Sequence, residues 1–309
     1  MKDLGPLGVR WGFAGGVALQ TMADVRTVAT EATDAGFTGL WISQSTGVDP
    51  VVALAAAAEA VAPLTEVGTS VVPLYGRHPL PLAQMVRTAQ SALDGRLTLG
   101  IGPSHRVPVE DTLGLSWDRP GSYTSEFLDG LLPLLDGQTA AAEGQQLTTR
   151  ATLDVVAPPT PVLLAALGPR MLALAGARSA GTTVGQCGPR TIRSHIAPLV
   201  QEAAAAAGRQ APRIMALVRL CVTNDPRPAY ELAREVGAFY AALPSYAAVL
   251  AREGLTEPAD LHLIGSWEQV LDGLGQYADA GVTDFRVEIV TPRADERQAT
   301  LAAFAALLS

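Results

Sequence analysis

The chain holds 309 residues with a mean hydropathy of +0.23. Hydrophobic residues make up 48% and charged residues 17%, a balance that excludes a disordered chain. A formal charge of −8 argues against a general nucleic-acid surface, and the most apolar stretch, Val51–Leu64, is interrupted by Glu59 and falls short of the roughly 20 residues that span a bilayer. Cys187 and Cys221 are too few for a disulfide framework and suit a reducing cytoplasm. No leader-like apolar run follows Lys2, which is the sole lysine. Schiff-base catalysis by an interior lysine is therefore excluded, and any anion falls to arginines, backbone amides or helix N-termini.

In chain order, short apolar runs alternate with Ala-rich segments of helical period. The pattern predicts a strand near Val9–Ala14, a helix near Met22–Ala35, a strand near Thr38–Ser43 and a helix over Pro50–Ala62. Next come a strand at Val67–Val72, a helix at Leu80–Leu93, a strand at Leu97–Ile101 and a helix at Tyr123–Leu135. Strands at Val162–Ala166, Thr182–Gly185, Ile214–Thr223 and Phe285–Val290 then alternate with helices at Pro169–Arg178, Pro189–Ala207, Pro226–Leu243, Ser266–Ala280 and Arg293–Leu308. Near-continuous apolar strands suit a parallel sheet buried on both faces. Eight strands with helical returns predict an α/β fold, a single-domain (β/α)8 TIM barrel; a doubly wound sheet is the rival. Against the rival, the nearest dinucleotide-type stretch, GIGPSH at Gly100–His105, lacks the third glycine.

Three stretches depart from a minimal barrel. Residues 103–120 form a long connection after the fourth strand, and residues 136–161 are Gly- and Pro-punctuated, with the alternation of a small hairpin in QQLTTRATLDVV. Residues 243–261, with Pro244 and Pro258, read as a lid or broken helix.

Barrel enzymes carry their chemistry at the C-terminal ends of the strands. Those ends are rich in glycine, hydroxyls and amides and hold one histidine, His105. Metal-ligand spacings, paired carboxylates, Walker A and GxSxG motifs are absent. Such a pocket suits a cofactor that brings its own reactivity. Two turns look built for phosphate: Gly168-Pro169-Arg170 and Gly188-Pro189-Arg190-Thr191, each following a strand and opening a helix. Either is equally readable as a plain helix start. His105 titrates near neutrality and reads as a proton donor or as a solvated loop residue.

The stretches GFTGLWISQS (36–45), EVGTSVVP (66–73), HPLPLAQMVRTAQSALDGRLTLGIGPSH (78–105), the Asp118-Arg119-Pro120 turn before a helix with Glu126, GPRMLALAGARSAGTTVGQCGPRTI (168–192) and AGVTDFRVEIV (280–290), in that order, resemble the luciferase-like monooxygenase superfamily. The resemblance is to its actinobacterial-type branch of oxidoreductases dependent on the deazaflavin coenzyme F420. It implies a (β/α)8 barrel, a homodimer, and a non-prolyl cis peptide at Ser70-Val71 backing the ring. The ring is then expected near Gln44, Ser45, Ser70, Val71 and Ser104, and the phosphate at Gly168 and at Gly188, Pro189, Arg190 and Thr191. His105 and Ser45 become the candidate catalytic residues, although many relatives carry acidic or histidine residues where this chain has Gln44 and Ser45.

The function expected is hydride transfer between F420 and an activated C=C or C=O of a small or peptide-like substrate, with secondary metabolism as its setting by analogy. FMN with molecular oxygen is the alternative cofactor chemistry, and a cofactor-binding barrel without turnover is a further one. Loop 103–120, segment 243–261, Phe13 and Val17 are expected to frame the substrate.

Overall fold

The apolar runs pair in parallel and close on themselves. In the computed structural model, which describes residues 4–16 and 19–309, the first strands are β1 (Arg10–Ala14), β2 (Gly39–Ile42), β3 (Glu66–Thr69), β4 (Val72–Pro73) and β5 (Leu97–Gly102). Val17 lies outside the described residues. A hairpin of β6 (Ala140–Glu143) and β7 (Thr148–Ala151) precedes β8 (Val162–Ala165), β9 (Gly181–Val184), β10 (Arg213–Val222), β11 (Leu263–Gly265) and β12 (Asp284–Ile289). Parallel pairing runs β1, β2, β3, β5, β8, β9, β10, β12 and back to β1, which closes a (β/α)8 barrel. Strand β4 continues the third stave, and β11 pairs in parallel beside the C-terminal end of β10.

The helices are α1 (Met22–Asp34), α2 (Pro50–Ala56), α3 (Pro79–Ala92), α4 (Pro120–Leu135), α5 (Pro169–Arg178), α6 (Pro189–Thr191), α7 (Ala197–Ala206), α8 (Pro226–Ala241), α9 (Pro244–Glu253), α10 (Trp267–Asp279) and α11 (Ala294–Leu308). Many start on proline, whose missing amide has no intrahelical partner there. A wider turn at Ile192–Ile196 joins α6 to α7, where Pro198 cannot supply the usual amide. No helix among the described residues is long and apolar enough to cross a membrane.

The structure corrects three expected boundaries. Helix α2 stops at Ala56, six residues early. The hairpin pairs Ala140–Glu143 with Thr148–Ala151 rather than lying within residues 145–156. Its turn is fixed from outside, because the Glu126 carboxylate on α4 accepts from the Gln146 and Leu147 amides at 2.7 and 3.0 Å. Segment 243–261 resolves into α9 and a short turn at Pro258–Leu261.

Inside the barrel the side chains stack in layers. The Trp41 indole plugs the middle with Leu163 and Met215. A Cβ on Gly12 or Gly68 would run into that indole, so these strands carry glycine where the ring crosses them. Below the plug, at the strands' N-terminal ends, Arg213 donates to Glu66 at 2.6 and 2.8 Å and to Asp284 at 3.2 Å. A cavity of about 240 Å³ lies at this end, lined by Arg10, Glu66, Arg96, Arg213 and Asp284 among others. Conserving the barrel is the usual task of this face; chemistry sits at the other.

Candidate active site

At the C-terminal end the third stave breaks between Thr69 and Val72, and the Ser70-Val71 peptide bond is cis. The break is held from two sides. The Ser70 carbonyl accepts from Ser43 Oγ at 2.7 Å and from Arg286 Nη1 at 2.5 Å, while Ser70 Oγ lies 3.2 Å from Thr183 Oγ1. Gly100 belongs here because a side chain would strike the Thr69 carbonyl, and its amide donates to Thr69 Oγ1. The backbone at residues 70–71 is thus a rigid ledge at the barrel mouth.

Around this ledge the structure brings several predicted residues together. Gln44 is half-buried and its Oε1 accepts from Arg77 at 2.9 Å; the same guanidinium reaches Asp49 at 2.8 Å. Ser45 is exposed on the rim beside it. Ser104 adopts a left-handed backbone, φ 70°, which turns the chain out of β5 toward His105.

His105 is not a solvated loop residue. Its ring packs against Phe239 of α8 and Tyr246 of α9, with centroids 5.7 and 5.9 Å apart. Burial moves its pKa below the ordinary histidine value, so the imidazole is neutral at pH 7. That environment suits a hydrogen-bond donor or a base better than the protonated acid its sequence position suggests. Tyr240 and Tyr246 meet at 5.0 Å, and the Arg219 guanidinium lies 5.6 Å from the Tyr240 ring. Helices α8 and α9 therefore cover the mouth with aromatic rings.

The two phosphate candidates differ sharply. The Gly168-Pro169-Arg170 turn is exposed, with nothing within 4 Å of where a Gly168 Cβ would stand, and Arg170 reaches Ser122 at 2.9 Å. At the Gly188 turn an anion is already in place. The Glu253 carboxylate accepts from the Thr191 amide at 2.6 Å and from the Arg190 amide at 3.3 Å. A phosphate at Gly188, Pro189, Arg190 and Thr191 requires Glu253 to move away.

Three charged residues of the mouth escape a reading confined to strand ends. Arg219 on β10 faces Glu288 on β12 in register, and Arg219 Nε donates to Glu288 at 2.6 Å. Arg286 lies two residues before Glu288 on the same face of β12. For Arg286 and Glu288 the signal is the period-2 alternation in DFRVEI, where Asp284, Arg286 and Glu288 point into the barrel while Phe285, Val287 and Ile289 pack outward in the core. Beside Arg219, a cavity of about 10 Å³, one water's worth, touches Gln186, Arg219 and His262. Gln186 Nε2, Arg219 Nη1 and His262 Nε2 have no hydrogen-bond partner among the described residues. Burial and the neighbouring Arg219 charge bring the His262 pKa down to about 4.

Known proteins share this architecture. An uncharacterised protein of Mycobacterium tuberculosis is 28% identical over 278 residues, covering 81% of this chain and 80% of that one. The 5,10-methylenetetrahydromethanopterin reductase of Methanopyrus kandleri is 27% identical over 267 residues, covering 79% and 73%. Among solved structures, the coenzyme F420-dependent tetrahydromethanopterin reductase from Methanopyrus kandleri superposes with a TM-score of 0.81 at 22% identity, over 97% of this chain and 98% of that one. The FMN-bound oxygenating constituent of a Pseudomonas putida 3,6-diketocamphane monooxygenase gives 0.77 at 17%, over 97% and 98%. The profile of one family, described as luciferase-like monooxygenase, matches residues 9–284, and the chain belongs to that family.

Proposed function

We propose that the protein is an F420-dependent oxidoreductase that moves a hydride between the deazaflavin and an activated C=C or C=O of a small or peptide-like substrate. The observation that carries this reading is the ledge at Ser70 and Val71, fixed by Ser43 and Arg286 directly beneath the aromatic cover. On this reading the flat ring lies against that ledge, on the side that the rings of α8 and α9 face. The sequence match to 5,10-methylenetetrahydromethanopterin reductases supports a reductase, while the F420-dependent and the FMN-bound structural neighbours both resemble the chain in fold.

When bound, the deazaflavin supplies the hydride at its C5. The chain's own residues do the rest. The ledge positions the ring, with Gln44 and Ser104 at its margins. The open turn at Gly168 receives the phosphate, where the first amides of α5 point outward and Arg170 stands alongside. The aromatic cover excludes water, and His105 presents a neutral imidazole to the substrate side.

A fluorescence titration of the purified protein against F420 and against FMN tests the cofactor. Submicromolar F420 binding with weak or absent FMN binding is expected. Tight FMN binding without F420 binding would reverse the assignment in favour of a reduced-flavin monooxygenase.

A further inference from the structure

The barrel encloses two arginine sites that are treated in opposite ways. Arg213, at the N-terminal end, has two carboxylate partners, Glu66 and Asp284. Arg286, at the mouth, has none among the described residues. Its Nη1 is spent on the Ser70 carbonyl, and its buried Nε has no partner among the described residues. The nearby carboxylate, Glu288, is already bonded to Arg219. Arg219, Glu288 and Arg286 together leave one positive charge in excess, with both arginines only 6% exposed. Burial draws the Arg286 guanidinium down to about 10, which still leaves it cationic at neutral pH.

An enclosed cation without a counter-charge is a standing cost to the fold. The chain satisfies that need at the N-terminal end of the barrel and leaves it unmet at the C-terminal end, where barrel enzymes carry their chemistry. The surroundings limit the ligand's size: Leu217 lies across the strand pair from Arg286, Ser70 and Thr183 lie beside it, and Tyr240 and Tyr246 are close enough to act on its charge.

We infer that Arg286 is an oxyanion-holding residue, and that this mouth takes a small reactant bearing a carboxylate rather than a neutral alcohol or hydrocarbon. The inference rests on the reading of the mouth as the reaction site. The same oxyanion chemistry has a second source, the pyrimidine edge of a reduced deazaflavin, and the test separates the two.

The probe is acetate, with acetamide as its neutral isostere, added to ¹⁵N-labelled protein without cofactor. The readout is the Arg286 Nε–H resonance, assigned by its loss in Arg286→Lys. Acetate is expected to shift it saturably and acetamide to leave it in place. In Arg286→Gln, which lacks that resonance and is read by titration calorimetry, acetate binding is expected to weaken about 10- to 100-fold, as for a charge-assisted hydrogen bond. Should that variant fail to fold, Arg286→Lys keeps the charge, loses the Nε donor, and is expected to bind acetate with intermediate affinity. A resonance unmoved by acetate but moved by reduced F420 would assign the oxyanion to the cofactor and overturn the substrate class. Indifference to both ligands would make Arg286 a structural cation and overturn the inference whole. Because the acetate arm contains no cofactor, a protein that prefers FMN leaves its result standing.

Discussion

The Glu253 carboxylate at the end of α9 accepts a 2.6 Å hydrogen bond from the amide of Thr191, the last residue of the short helix α6. A residue of the mouth's cover thereby occupies the place where a cofactor phosphate was expected, and it is 9% exposed there. Glu253→Ala leaves the Arg190 and Thr191 amides without their acceptor, at an expected cost of about 1–3 kcal/mol in unfolding free energy. Inorganic phosphate should then restore part of that loss in the variant and have little effect on the native protein. A thermal-unfolding series against phosphate checks this; a variant that ignores phosphate would make the Gly188 turn a helix start and nothing more.

His262 gives the stability a defined pH dependence. Its folded pKa, about 4, lies below the ordinary value near 6.5, so the unfolded chain binds the proton first as the pH falls. The stabilisation is complete above about pH 6.5, declines between there and about 4, and amounts to roughly 3 kcal/mol. Carboxylates titrate in the same range, so the comparison is with His262→Leu. Denaturant unfolding from pH 7 to 4 should give a flatter curve for the variant, and parallel curves would show that His262 does not bury as a neutral ring.

His105 is expected to matter for turnover more than for cofactor binding. His105→Ala should bind F420 nearly normally yet lose about 10²–10⁴-fold in rate once a substrate is in hand. Because burial favours the neutral ring, the rate should stay level at neutral pH and fall only below the ordinary histidine range. Phe239→Ala, which uncovers the ring, should move that fall up toward about 6.5. A threefold loss or less in His105→Ala would remove the residue from the chemistry.

At the opposite end of the barrel, Asp284→Asn should cost stability without touching the site. It removes one of the two carboxylates of a largely buried Arg213 but leaves Glu66 in place, so the loss should fall below the roughly 3–5 kcal/mol of a charge left with no partner. Chemical denaturation should show that loss while F420 affinity stays at the native level. A parallel loss of affinity would mean that the two ends of the barrel communicate.

How much of this was legible in the sequence depended on the range of each interaction. The barrel was, because strand alternation and helical period are local, and the eight staves fall where the apolar runs do. The hairpin register was not, since Glu126, some twenty residues upstream, sets its turn. Val71, Gln44 and Ser104 gather at the mouth as their positions after β2, β3 and β5 suggest. Arg219, Arg286 and Glu288 were missed for a different reason: strands buried on both faces read as apolar, and charges inside them were passed over as part of the wall. Glu253 was invisible as well, because nothing in its helix announces a partner 62 residues away.

The central claim is that a deazaflavin ring rests on the Ser70–Val71 ledge at the mouth of the barrel. A crystal soaked with F420 tests it most directly. Density for the ring over that ledge, with its phosphate at the Gly168 turn and Arg170, is the result predicted. F420 absent from a mouth that accepts FMN under the same conditions, or bound away from Ser70, would contradict it.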